Sequence, residues 1–577
     1  MNILKRSTVT AAALLLTATA SFAQKADFIS SLNTPNRWVD SVFKTLDRKH
    51  KIAQLFFIRA HTNKGQAYAD SVARVIQEEQ PGGLVFFQGG PVRQAQLTNR
   101  YQKLSNIPML VAMDGEWGLG MRLDSTISYP YQMTLGAIQN DKLIREMGKQ
   151  IAFDFKRIGA HINFAPVLDV NNNPNNPVIN YRSFGDDKYK VALRGIAYMQ
   201  GMQQAGLITT AKHFPGHGDT NVDSHFDLPQ LPFTRQRLDT LEEYPFKEAI
   251  KAGISGVMVA HLSIPALEPA KNMPSSLSRP IITGILKNQL GFKGLVVSDA
   301  MEMKGVTKYF PNGEADLRAF MAGTDIIELS ENSYGAIKAI RRAIRSGKVS
   351  DAVLDAKVKK VLYAKYWAGL ANYSPADVQG ISADLNRNTA KELVQQLSDN
   401  AVTMLQDNGL LERFNFMQKT ALVSIGVTLP TVYQQELAKY YLNSTLFTLK
   451  KNAQPYEINK LINDLKGYKQ IIIGVHDERL RPQSKLDLTA QVKDAVVQIA
   501  EMPNAALSLF ANPYTLASMP GIERTGVLLA AYQKDESMQR AAARVLSRQL
   551  TPSGRLPVNI NSYFTNGWGM GQPKIAL

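Results

Sequence analysis

Between Lys212 and His225 the chain reads KHFPGHGDTNVDSH, and three of its eight histidines fall within those 14 residues, beside Asp219 and Asp223. Gly, Pro, Asp and Asn are too frequent there for a helix, so the segment reads as a loop crowded with titratable groups. Imidazole exchanges protons near neutral pH with little tuning, and loops on a rigid scaffold commonly carry function. Three chemistries fit this composition. The side chains can satisfy backbone groups and nothing more. They can ligate zinc, although there is neither HExxH nor a histidine pair at helical spacing. Or Asp223 can orient the imidazole of His225, two residues on, as a proton-transfer dyad.

Something must hold such a loop in place. Short apolar runs recur at 55–58, 84–87, 109–113, 162–167, 208–211, 257–260, 295–297 and 324–329, each followed by a polar or glycine-rich turn and a stretch of helical periodicity. Eight strands alternating with helices predict right-handed crossovers, a parallel sheet and a (β/α)8 barrel. Several runs end on a polar residue: Asp114, Lys212 with His213, His261 and Asp299. A barrel enzyme keeps its chemistry at those strand ends.

Helical periodicity over 334–370 completes a barrel domain of 30–372, and a linker of 373–395 opens with Asn372-Tyr373-Ser374-Pro375. A second domain, 396–565, has expected strands at 401–405, 421–425, 444–448, 470–475, 505–510 and 527–531, the pattern of a smaller three-layer α/β/α sandwich. No glycine fingerprint for a dinucleotide follows its first strand, so it reads as structural or substrate-framing. The fold class is α/β.

Lys5 and Arg6, an apolar run over 9–20 and the small-residue-flanked Ser21-Phe22-Ala23 read as a signal peptide over 1–23. The run is short of the roughly 20 residues a membrane span needs, so the mature chain is expected to be periplasmic or secreted, without an integral membrane segment. There is no cysteine, hence no lipid-attachment site, disulfide or thiolate metal site. The 577 residues carry 66 basic and 49 acidic side chains, a formal charge of +17. For an exported protein that charge points to anionic glycan or cell wall, or to no specific partner, rather than to nucleic acid.

The motif KHFPGHGDTNVDSH resembles the signature of the β-N-acetylglucosaminidase branch of glycoside hydrolase family 3. DGEWG at 114–118, YRSFG at 181–185, AHLSIP at 260–265, PSSLS at 274–278 and LGFKGLVVSDAMEM at 290–303 follow in the family's order, and GRLPVNI at 554–560 is similar to the end of its second domain. The resemblance implies Asp299 as nucleophile and His225 with Asp223 as acid/base dyad. It implies Asp114, Arg182, Lys212 and His213 as residues that hold the sugar hydroxyls, with Arg122 as a further sugar contact. Where many relatives read DQEGGRV, this chain reads DGEWGLG, which puts Trp117 on that wall as a stacking surface or as core packing.

Glycosidic cleavage needs an acid for the leaving oxygen and an anionic carboxylate at the anomeric carbon, and a covalent glycosyl-aspartate gives retention. No cofactor or metal enters that scheme. The expected substrate is a glycan with a terminal β-linked N-acetylglucosamine: a muropeptide, a chitin fragment or a host glycan. A phosphorylase using phosphate in place of water, a β-glucosidase of the same family and a non-catalytic glycan-binding protein are the alternatives; the oligomeric state stays open.

Overall fold

Runs of Val, Ile, Leu, Phe and Met buried on both faces suit strands of a parallel sheet covered by helices. In the computed structural model, which describes residues 27–32, 34–477 and 485–571, they form β1 (Phe56–Ala60), β2 (Gly83–Phe86), β3 (Leu110–Met113), β4 (Ile162–Asn163), β5 (Ile208–Phe214), β6 (Gly256–Val259), β7 (Leu295–Ser298) and β8 (Ile327–Glu328). The expected signal peptide, 1–23, lies outside the described residues. Neighbouring strands pair in parallel in the order β7-β6-β5-β4-β3-β2-β1-β8, and a parallel bridge from Val297 to Ile326 closes the barrel.

Each of the eight expected strands is present, with β4 and β8 shorter than their apolar runs by four residues each. Regular pairing in β4 stops at Asn163, although Phe164 N still donates to Met113 O at 2.9 Å and Ala165 O accepts from Thr210 N at 3.1 Å; Pro166 beyond has no N–H to give. Ahead of β8, Asp325 is buried and its Oδ2 accepts from Val296 N and Lys360 Nζ, both at 2.9 Å, so it anchors the barrel bottom instead of extending the ladder.

The second sheet comprises β9 (Thr403–Asp407), β10 (Thr420–Ile425), β11 (Ser444–Leu449), β12 (Gln470–His476), β13 (Ala505–Phe510) and β14 (Val527–Ala530). Its order is β11-β10-β12-β13-β14-β9, parallel except for β9, which runs antiparallel to β14. Helices Val432–Ala438, Pro455–Leu465, Ala490–Ala500 and Glu536–Leu546 pack on it. Residues 373–395 contain the helix Ile381–Leu385 and the start of Asn388–Ala401, tied to the barrel by Arg157, which donates to Asp384 at 2.7 Å. Among the described residues no helix is long and apolar enough to cross a membrane.

The two sheets meet where it matters for the cleft. Gln533 Oε1 accepts from Tyr131 N at 2.9 Å and from Thr134 Oγ1 at 2.6 Å. The GRLPVNI segment lies on the YRSFG loop: Asp186 N donates to Pro557 O at 3.1 Å, and a Cβ at Gly185 would come within 2.2 Å of that same oxygen, so only glycine fits. Asn512 donates to Asn180, which has φ of 40° two residues before Arg182. The second domain therefore fixes the loop that carries Arg182.

Candidate active site

The C-terminal ends of the barrel strands open on a cleft of about 590 Å³ whose walls include Asp114, Arg122, Arg182, Lys212, His213, Asp223, His225 and Asp299. All eight residues singled out from the sequence line this one space.

At its floor is an ion-pair network. Lys212 Nζ lies 2.7 Å from Asp114 Oδ1 and 2.9 Å from Glu116 Oε1, Arg122 donates to Asp114 Oδ2, and Arg182 grips Glu116 with Nε 2.9 Å from Oε2 and Nη2 2.6 Å from Oε1. Burial pushes the Glu116 carboxyl up, but the charges of Arg182 and then Lys212 outweigh it and bring the pKa down to about 2. The network thus keeps Glu116 ionised and leaves the outer faces of the cations turned to the cleft. Local structure presents it: Asn163 accepts from Gly115 N at 2.9 Å and donates to Gly115 O at 3.0 Å, and Tyr198 donates to Gly115 O at 3.1 Å. A Cβ at Gly115 would sit 2.5 Å from the Phe155 ring, which explains the glycine of DGEWG. Because Glu116 is fully buried between two cations, Glu116→Gln is expected to destabilise the fold by about 3 kcal/mol. A lowered denaturant midpoint would register this; an unchanged one would mean that Asp114 alone neutralises the floor.

His213 is fixed from behind. Its Nδ1 donates to buried Asp169 Oδ2 at 2.7 Å, which leaves Nε2 facing Arg182 Nη2 at 3.4 Å. Asp169 Oδ1 also accepts from His217 N at 2.6 Å. His217 points inward to Thr220 Oγ1 at 2.8 Å and Ser224 Oγ at 3.3 Å, and burial lowers its pKa to about 4, so it acts as a neutral brace for the loop. Among the described residues no three His, Asp or Glu side chains are grouped to hold a metal ion.

The loop delivers His225 to the cleft mouth. His225 Nδ1–H donates to Asp223 Oδ1 at 2.7 Å, and the imidazole side chain is 62% exposed, open to proton exchange with solvent. The bond to Asp223 raises the His225 pKa against the opposing effect of burial. Ser224 O accepts from Gly305 N at 3.3 Å, which ties this loop to the one after β7.

Asp299 follows β7. Its N–H joins Val259 O at 3.1 Å and its Oδ1 accepts from Ala300 N at 2.8 Å. Burial works to raise its carboxyl, but His261, His213, the Ala300 N–H and His225 together hold it below the usual carboxylate range. Buried His261 donates from Nε2 to Ala300 O at 3.0 Å and its Nδ1 lies 2.6 Å from Ser276 Oγ, so it steadies the peptide beside Asp299. Trp117 borders the cleft within an aromatic group, 4.9 Å from Tyr131 and 6.1 Å from Tyr181 between ring centres.

Sequence reasoning did not name Glu116, Asp169 or Glu328 as site residues. Asp169 stands two residues past the fourth apolar run, and Glu328 is the second of two carboxyls inside the eighth, after Asp325 and next to its end, so the strand-end signal covered both. Glu116 gave less away, since its burial depends on an arginine 66 residues later.

Comparison with known proteins gives the family. Residues 45–364 match the glycosyl hydrolase family 3 N-terminal domain, and the chain belongs to that family of glycosidases. Within the family its likeness is to the β-N-acetylglucosaminidase branch. It is 29% identical over 449 residues to β-hexosaminidase A of Pseudoalteromonas piscicida, covering 72% of this chain and 74% of that protein. A solved family 3 β-N-acetylglucosaminidase from Paenibacillus sp. str. FPU-7 superposes with a TM-score of 0.75 at 31% identity, over 89% of this chain and 99% of that one. A β-glucoside phosphorylase structure superposes with a TM-score of 0.79 at 22% identity, over 92% and 96% of the two chains, a likeness of fold.

Proposed function

We propose that this protein is an exported, retaining β-N-acetylhexosaminidase that removes terminal β-linked N-acetylglucosamine from glycans such as peptidoglycan fragments or chito-oligosaccharides. The observation that carries the reading is the pairing of His225 with Asp223 in the cleft that contains Asp299, close enough for each charge to act on the other. Export is inferred from Lys5, Arg6 and the apolar run after them.

In this mechanism Asp114, Arg122, Arg182, Lys212 and His213 hold the hydroxyls of the terminal sugar. Asp299, ionised, attacks the anomeric carbon as protonated His225 gives its proton to the leaving oxygen. Neutral His225 then takes a proton from water as the oxygen of that water attacks the glycosyl-aspartate, and configuration is retained. Solvent exposure of His225 suits both halves, since the aglycone leaves and the water arrives at the mouth. Initial rates on aryl β-N-acetylglucosaminide, β-N-acetylgalactosaminide and β-glucoside test the substrate class: the first is expected to be fastest, and a faster glucoside would overturn the assignment.

The pH profile follows from the dyad. Attack needs protonated His225, so kcat/KM falls as pH rises through its pKa. Asp223 raises that pKa, hence Asp223→Asn lowers it and moves the alkaline limb of kcat/KM to lower pH. An alkaline limb that does not move would assign it to a different group.

A further inference from the structure

Glu328 ends β8 at the floor of the cleft, and no step above uses it. It is 3% exposed, and its Oε2 is buried without a hydrogen-bond partner among the described residues. Successive side chains of a regular strand point to opposite faces, yet Glu328 and Leu329 both line the cleft. Leu329 has φ of 50°, a left-handed conformation uncommon for such a side chain, and this turn keeps both residues facing inward.

The charges around Glu328 fix its form. On the floor, Lys212, Arg122 and Arg182 are all engaged by Asp114 and Glu116, Asp299 is a third carboxylate outside those pairs, and Arg59 on β1 is taken by Glu302. A fourth anion would have no cation of its own. Burial, then Asp114 and Asp299, push the Glu328 carboxyl well above the usual carboxylate range, against the weaker pull of Lys212 and Arg59. These surroundings therefore favour the neutral acid of Glu328 over its carboxylate. Unlike the carboxylates around it, it has a proton to donate.

We propose that Glu328 is a sugar-binding residue whose carboxylic acid O–H donates a hydrogen bond to a hydroxyl of the terminal sugar, an uncharged donor beside Asp114, which can only accept, and beside the cationic donors Lys212 and Arg182. It rests on the glycosidase reading of the cleft. A sugar hydroxyl at this position gains a donor already oriented and desolvated, so the contact selects for a sugar that presents oxygen there.

The test compares Glu328→Leu and Glu328→Gln with wild type on the aryl glycoside that wild type turns over fastest, and on its 3-, 4- and 6-deoxy analogues. Leu removes the donor and is expected to lower kcat/KM about 30-fold; Gln supplies an N–H and is expected to lose only about threefold. The Leu defect should vanish on one deoxy analogue and persist on the other two, which a loss of packing would not produce. Gln as harmful as Leu, a Leu variant equal to wild type, or a defect equal across all three analogues would each overturn the proposal. A fastest substrate other than an N-acetylglucosaminide would overturn the substrate reading while leaving the Glu328 comparison intact, and a wild-type protein that cleaves no aryl glycoside would overturn both.

Discussion

Asp299→Ala is expected to lower turnover of aryl N-acetylglucosaminides by about 10⁴-fold or more while the protein stays folded. The fold requires little of this side chain. Among the described residues its one hydrogen bond closes on its own neighbour, Ala300 N at 2.8 Å, and β7 is held by backbone pairing to β6. Chemistry requires much more. His261, His213 and His225 keep the carboxyl anionic in a buried setting, where a desolvated carboxylate meets the positive charge growing at the anomeric carbon. Rates with poor and good leaving groups should fall together, because both steps pass through Asp299. A variant that keeps more than a tenth of the wild-type rate, or one that has lost its cooperative thermal transition, would contradict this division between fold and function.

His225→Ala should behave differently. General acid catalysis is typically worth about 10²- to 10⁴-fold, and that gap is expected between a disaccharide, whose leaving oxygen needs a proton, and a dinitrophenyl glycoside, which departs with little help. Asp223→Ala should give a milder form of the pattern, since it removes the partner that orients Nδ1 and raises the His225 pKa but leaves the imidazole in place. Exogenous azide should restore part of the deglycosylation rate in His225→Ala, because it attacks without a base, and should yield a β-glycosyl azide. Equal losses on good and poor leaving groups, with no response to azide, would assign His225 to binding or to loop structure.

Much of this architecture is legible in the sequence. Apolar runs mark strands because burial on both faces leaves no room for alternation, and a polar residue closing such a run marks the barrel's working end. That rule pointed to Asp114, Lys212, His213, His261 and Asp299. What escaped depends on contacts distant in sequence. The antiparallel placement of β9 beside β14 brings together segments more than 100 residues apart, and no local pattern encodes it. Glu116 looks like an ordinary loop acid until Arg182 and Lys212 enclose it. Glu328 sits in an apolar run where its carboxyl is a local mismatch, and such mismatches between pattern and residue concentrate at functional positions. Asn163 turns its amide to Gly115, a side-chain role that periodicity does not carry.

The claim on which the mechanism turns is a covalent bond between the sugar and Asp299. Incubating the protein with an activated 5-fluoro-N-acetylglucosaminyl donor slows both steps, the second more than the first, so the glycosyl-enzyme accumulates. Peptide mass spectrometry after digestion is expected to find one sugar equivalent on the peptide that carries VSDAMEM, with fragmentation placing it on Asp299. A label on any other residue, or inactivation-free turnover with inverted product, would contradict the account.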